Sequence, residues 1–302
     1  MTFSHQTVLL KPTVELLAPA PGRVLVDGTL GGGGHTEALL EAGAMVYGID
    51  RDPVALEAAQ ERLARFGDRF RPVRGNFSEL TRLLADALPV DGVLVDLGVS
   101  SPQLDVAERG FSFQTDGPLD MRMGPDGPTA AELIEDTPEG ELADLIYRLG
   151  DERFSRPIAR ELKARRPQRT LDAVDAIKAA VPRRAWPDKI NVATRTFQAL
   201  RMAVNRELES LDGWLQALPA VLKVGGRAAV ISFHSLEDRR VKDAFRELEG
   251  RCICPPAMPV CGCGRQGDFK PVTRKAVTAD EGELAQNPRA RSARLRVVER
   301  VR

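Results

Sequence analysis

Cysteine is scarce and crowded: the 302-residue chain has four, and Cys252, Cys254, Cys261 and Cys263 all fall within twelve residues. A secreted domain stapled by disulfides spreads its bridges through the fold, so that class is excluded. Long hydrophobic runs are missing too. Stretches such as Val93–Val95 and Ala228–Ile231 are far below the roughly 20 residues a membrane helix needs. Met1–Lys11 lacks a basic region followed by an apolar core, which predicts no secretory signal and a cytoplasmic protein. Net charge is also absent, with 43 Lys and Arg against 43 Asp and Glu. Yet 28% of residues are charged and 43% hydrophobic, which excludes a disordered or fibrous chain and leaves ample material for a core.

The neutral total hides two opposite halves. Residues 1–150 carry 12 basic and 24 acidic side chains, and the remainder carry 31 and 19. Between Arg153 and Arg206 there are 14 basic and 4 acidic residues. A phosphate chain responds to the local field, so a polyanionic partner is compatible with zero net charge; a solvated helical surface is the plainer reading.

Apolar runs ending in acids alternate with helical patterns in the first hundred residues. Val24–Asp27, Met45–Asp50, Phe70–Val73 and Gly92–Asp96 read as strands, with helices at His35–Leu40, Pro53–Phe66 and Ser78–Leu88. This alternation predicts an α/β fold with a doubly wound parallel sheet covered on both faces. From Leu104 to Arg206 no good strand is visible. Thr137 before Pro138 and Thr170 before Leu171 read as helix starts, and one long helical run is expected over Asn191–Leu218. Strand patterns resume at Arg227–Phe233 and Ser292–Val301, with a helix at Leu236–Leu248 between them. The expected organisation is a discontinuous domain, 1–103 with 207–302, interrupted by a helical insert at 104–206 that would recognise substrate.

Asp27-Gly-Thr-Leu-Gly-Gly-Gly-Gly-His35 joins the first strand to a helix. Glycines let a ligand touch the backbone, and free N–H groups at the helix start can receive a carboxylate or phosphate. The nicotinamide pattern Gly-x-Gly-x-x-Gly fails, because its third glycine would fall on Thr36 or Glu37. Asp27 would repel a pyrophosphate but suits the ammonium of S-adenosylmethionine. Asp50, ending the second strand, can accept both hydroxyls of an adenosine ribose. The fourth strand runs into Asp96-Leu-Gly-Val-Ser-Ser-Pro-Gln103, at the carboxyl edge where open α/β sheets bind ligands. There a serine hydroxyl and a backbone carbonyl beside proline can accept the N–H groups of an exocyclic amine. Position alone makes Ser101 and Pro102 the catalytic candidates.

Ten blocks spread over the chain resemble the bacterial 16S ribosomal RNA cytosine-N4 methyltransferases. They include His5–Leu10, Asp27–His35, Asp50–Pro53, Val95–Leu104, Glu108–Phe113 and Asp116–Met123. Ala193–Arg201, Val204–Leu208, Ile231–Arg239 and Asn287–Ser292 complete the set in order. The resemblance implies a Rossmann-like, class I S-adenosylmethionine-dependent methyltransferase acting on a cytidine in the decoding centre of 16S rRNA within the 30S subunit. It implies neither DNA nor membrane as a partner. It also implies cofactor contacts at Gly33, Gly34, His35, Asp50, Phe77, Asp96 and Gln103. Some relatives lack the cysteine cluster, so the resemblance makes it dispensable to the chemistry, with no metal required.

Other readings stay open at this level. His234 suits either a substrate contact and proton acceptor or the neighbourhood of a helix start capped by Ser235. Thr194, Gln198, Arg201 and Asn205 form a polar stripe, solvated or walling an RNA cleft. The cysteines are either reduced thiols or zinc ligands. A DNA amino-methyltransferase should show an Asp/Asn-Pro-Pro-aromatic tetrad, absent here, and a non-catalytic regulator would not need both a cofactor loop and a second-strand acid.

Overall fold

Each apolar run that ends in an acid becomes a strand whose last residue sits at one edge of a single sheet. The computed structural model describes residues 7–99, 101–188, 190–250, 254, 258, 260, 262–264 and 266–302. The strands are β1 (Val24–Asp27), β2 (Met45–Asp50), β3 (Phe70–Arg74), β4 (Val90–Asp96), β5 (Leu222–Ser232), β6 (Phe269–Pro271) and β7 (Arg294–Arg300). Their order is β3-β2-β1-β4-β5-β7-β6. The first five are parallel. Strand β7 runs antiparallel to both β5 and β6, so the sheet is mixed rather than all-parallel as expected. The three-residue β6 had no readable pattern.

Successive residues along the strands enter opposite cores. Leu25, Val46 and Leu94 pack on one face with Leu39, Leu40, Ala59 and Leu63 from the helices Gly34–Glu41 and Pro53–Leu63. Val26, Ile49, Val93 and Val95 pack on the other with Leu211, Trp214, Leu218 and Phe245. This is the two-period of a pleated strand with both faces covered, which explains why the runs are almost continuously apolar. The unit is α/β and doubly wound, and it comprises Met1–Gly98 and Glu209–Arg302.

Val99–Leu208 forms a second compact unit. Its core gathers Ile134, Leu142, Ile146, Ile158, Leu162, Ile177, Phe197 and Leu200 from five helices, Ala130–Asp136, Glu139–Gly150, Ser155–Arg165, Thr170–Ala180 and Thr194–Val204. Three local expectations are corrected. Thr137 ends the helix Ala130–Asp136, and Pro138 occupies the cap position of the next one. The Thr170 hydroxyl accepts the Gly117 N–H at 3.1 Å instead of capping its own helix. The long run splits into Thr194–Val204 and Glu207–Val221, because Arg206 adopts φ 49°, outside right-handed helix. In the first unit, the predicted helix Ser78–Leu88 shrinks to a 3₁₀ turn, Phe77–Glu79, and one α-helical turn, Leu80–Leu83.

Candidate functional site

Parallel pairing brings the carboxyl ends of β1, β2, β4 and β5 to one edge. Asp27 aligns with Leu94 and Gly48, Asp50 with Arg74, and Asp96 with Ile231. The glycine loop leaves β1 at this edge. Its backbone is held by Gly28 N–H to Leu94 carbonyl at 2.8 Å, Leu30 N–H to Ile49 carbonyl at 2.9 Å and Gly33 N–H to Leu30 carbonyl at 2.8 Å. Gly33 takes φ 77° immediately before the helix Gly34–Glu41, a conformation that disfavours a side chain. At Gly34 a Cβ would collide with the Thr7 hydroxyl, whereas at Gly32 nothing lies within 4 Å. The loop is therefore packed on one side and bordered by open space on the other.

Three acids occupy the edge in different ways. Asp27 is buried, accepting the Thr29 N–H at 3.1 Å and the Thr36 hydroxyl at 2.8 Å. Burial pushes its carboxyl up to about 6, against the pull of those hydrogen bonds. Both oxygens are engaged in shaping the loop, so the ammonium partnership expected from the sequence is not its visible task. Asp50 accepts the Gly31 N–H on Oδ2 at 2.8 Å and the Asp52 N–H on Oδ1 at 2.9 Å. Burial raises its pKa as well. It is thus both a turn former and, through its remaining lone pairs, an acceptor at the strand end.

Asp96 is placed differently. Its backbone N–H donates to the Thr29 hydroxyl at 2.6 Å, tying the β4 end to the glycine loop. Its Oδ2 lies 3.9 Å from Nδ1 of His35, while Oδ1 is shut from solvent with no hydrogen-bond partner among the described residues. Burial, then the neighbouring Asp27 charge, push its carboxyl up to about 7. His35 is 5% exposed, and its Nε2 lies 3.1 Å from the Val8 carbonyl.

The remaining predicted residues divide between the two units. Phe77 follows β3 and sits half-buried against the core; a Cβ on Gly28 would come within 2.9 Å of the Phe77 Cβ. Gln103 is buried in the second unit. Ser101 and Pro102 open the helix Ser101–Asp105 there, and their side chains lie outside the described part, as does Ser100. Cys252 and Cys261 also lie outside the described residues, and the zinc reading with them.

His234 resolves toward a cap. It precedes the helix Ser235–Leu248, its Nδ1 accepts the Leu236 N–H at 3.3 Å, and Glu237 accepts the N–H groups of Phe233 and His234 at 3.0 Å each. The capping residue is therefore His234 and not Ser235. With Nδ1 accepting, the neutral ring carries its proton on Nε2, which makes that nitrogen a donor. The polar stripe is also partly internal. Asn205 is 2% exposed and clasps Met123 N–H, Met121 carbonyl and Arg201 carbonyl, while Arg201 forms a two-pronged pair with Glu207. Thr29 and Thr36 join the site beyond the residues expected from the sequence, and a threonine two and nine positions after the strand-end acid is their signal.

The basic stretch loses part of its charge to ion pairs. Arg160, Arg165, Arg166, Arg169 and Lys178 face Glu139, Glu161, Glu135, Asp116 and Asp175. Arg153, Arg156, Arg184 and Arg206 are exposed, and Arg183 lies over the Trp186 ring at 5.1 Å.

With this geometry in place, comparison with known proteins is informative. Residues 2–301 match the model of the MraW methylase family. A "Ribosomal RNA small subunit methyltransferase H" from Myxococcus xanthus (strain DK1622) is 68% identical over 300 residues, 99% of this chain and 98% of that one. Proteins of the same name from Anaeromyxobacter sp. (strain Fw109-5) and Geobacter sulfurreducens are 57% and 55% identical. The former pairing covers 99% of both chains, and the latter 100%.

Proposed function

The chain belongs to the MraW methylase family, and from that premise we propose that it methylates small-subunit ribosomal RNA with S-adenosylmethionine, the acceptor being N4 of a cytidine in the decoding centre. Two observations test the cofactor against the residues present. The buried Oδ1 of Asp96 lacks a hydrogen-bond partner, and an ammonium donor would satisfy it. The glycine loop borders open space at Gly32 and leaves room for close approach to its backbone. The residues fit.

When bound, the cofactor supplies an electrophilic methyl group on a sulfonium. Gly33, Gly34 and His35 would hold it along the loop, with Asp50 accepting ribose hydroxyls, Phe77 lying against the adenine, and Gln103 adding a polar contact. Asp96 would face the cationic methionine end. The cytosine has to leave its stack to present N4. Its amine lone pair is delocalised into the ring, so acceptors for its N–H groups help turn that pair toward the methyl. Ser101 and the Pro102 backbone are assigned this task by position in the sequence. No strong base is needed before transfer, because the proton leaves afterwards. Alignment and hydrogen bonding then account for the rate, without a cysteine nucleophile.

The second unit, Val99–Leu208, is assigned the RNA, through exposed guanidinium groups that neutralise phosphates. The observation that carries the reading is the meeting of Asp50, Asp96 and the glycine loop at one sheet edge. The test is transfer of labelled methyl to naked 16S rRNA, to 30S particles and to DNA, with the product nucleoside identified by mass spectrometry. N4-methylcytidine in ribosomal RNA is the expected result. Label in DNA, or on another atom of the RNA, would refute the assignment.

A further inference from the structure

The pair formed by His35 and Asp96 carries a constraint that follows from elementary hydrogen-bond chemistry. A carbonyl oxygen only accepts, so the His35 nitrogen facing Val8 must bear a hydrogen. The other nitrogen, Nδ1, is the one turned to the Asp96 carboxylate. At 3.9 Å this nitrogen lies beyond hydrogen-bond reach of the carboxylate, so the ring leaves the buried Oδ1 of Asp96 without a donor among the described residues. A buried carboxyl oxygen without a donor favours the protonated acid.

The surroundings hold that proton in place. Around Asp96 stand Asp27 from β1, which itself feels Asp50 from β2, Glu237 from the helix Ser235–Leu248 and His35 from the helix Gly34–Glu41. Asp27 and Glu237 are the acids that act on Asp96 directly, so the field there is negative and favours a retained proton. The Gly98 amide acts in the opposite direction, stabilising the charged form. A cation arriving at Asp96 reverses the balance, because it satisfies Oδ1 and repels the proton there.

We propose that Asp96 holds one exchangeable proton and that the cationic end of the methyl donor binds by displacing it, so that cofactor binding is a proton-releasing step. The inference rests on the cofactor assignment made above. The balance is simple: the O–H bond of Asp96 breaks, the proton passes to the buffer, and the incoming cation takes its place. No oxidant or further reactant is involved.

Titration calorimetry of the full-length protein with S-adenosylmethionine, at pH 6.5 in two buffers of different ionisation enthalpy, counts the protons released. With Asp96 titrating near 7, about 0.8 proton should leave at pH 6.5 and under about 0.1 at pH 8.5. Affinity should rise about fivefold between pH 6 and 7, below the range in which the ligand's own amine titrates. S-adenosylhomocysteine keeps the ammonium but lacks the sulfonium. Equal release with both ligands identifies the ammonium as the displacing charge, and release with the methyl donor alone identifies the sulfonium. Asp96→Asn should bind more weakly and release no proton. The wild-type pH dependence stands as a test whether or not that variant folds. Binding with the same enthalpy in both buffers, or undiminished release in Asp96→Asn, would overturn the proton coupling while leaving the cofactor site intact. No binding at any pH would overturn both.

Discussion

At the residue scale, one side chain type does two opposite jobs at a single sheet edge. Asp50 holds the Gly31 and Asp52 N–H groups and is proposed to hold a ribose; Asp96 has an oxygen with nothing to hold. Asp50→Ala therefore loses in two places. Charge-assisted hydrogen bonds contribute about 1.5–3 kcal/mol each. Calorimetry should show S-adenosylmethionine binding weakened about tenfold or more, accompanied by a lower melting temperature, since the loop anchor goes with it. Unchanged affinity would remove the ribose role. Asp96 makes a different prediction for the ligand-free protein. Its folded pKa, near 7, lies above that of an unfolded carboxyl, so its stabilising contribution is complete below about pH 4 and is lost as pH rises through 7. Denaturant unfolding of wild type and Asp96→Asn across this window should show wild type losing ground to the variant with rising pH. A difference independent of pH would contradict the raised pKa.

At the element scale, the breaks in helices matter as much as the helices. The chain between Val204 and Glu207 turns because Arg206 takes a left-handed conformation, and Asn205 makes use of the turn to clasp Met121 and Met123. Met121 is itself fully buried at φ 62°, so the clasp holds a segment that does not rest at its backbone minimum. Three hydrogen bonds of about 0.5–1.5 kcal/mol each, plus a stranded Met123 N–H, predict that Asn205→Ala costs about 2–4 kcal/mol. Urea unfolding followed by helical circular dichroism would measure it. Asn205→Asp, which turns a carboxylate oxygen toward the Met121 and Arg201 carbonyls in a buried site, should cost at least as much. A loss under about 0.5 kcal/mol would show that the clasp is incidental.

At the scale of the whole molecule, charge is distributed by unit rather than by total. Salt pairing within the second unit consumes several of its cations and leaves Arg153, Arg156, Arg184 and Arg206 exposed, with Arg183 over Trp186. If these guanidinium groups meet phosphates, the logarithm of RNA affinity should fall linearly with the logarithm of salt concentration. Replacing Arg183 and Arg184 together by Ala should flatten that slope by about 1.4 for single-stranded RNA, with cofactor affinity unchanged. An unaltered slope would move the RNA face elsewhere.

The sheet, its two covered faces and the helical character of 104–206 were legible in the linear chain, because hydrophobic periodicity is a local property of strands and helices. So were the glycine loop and the acids that end β1, β2 and β4: a strand that stops at an acid before a turn carries its own punctuation. Pairing partners were not legible. The reversal of β7 depends on a long return of chain to the sheet edge, and three-residue β6 has no period to read. Nor could the sequence divide labour among like residues. Asp27 and Asp96 look alike as strand-end acids, but Thr29 and Thr36 satisfy both oxygens of the first, while folding brings His35 and two further acids toward the second and leaves one oxygen unpaired. Which acid is loop mortar and which keeps an unpaired oxygen is decided by desolvation and by contacts between residues far apart in the chain, and these exist only once the chain has folded.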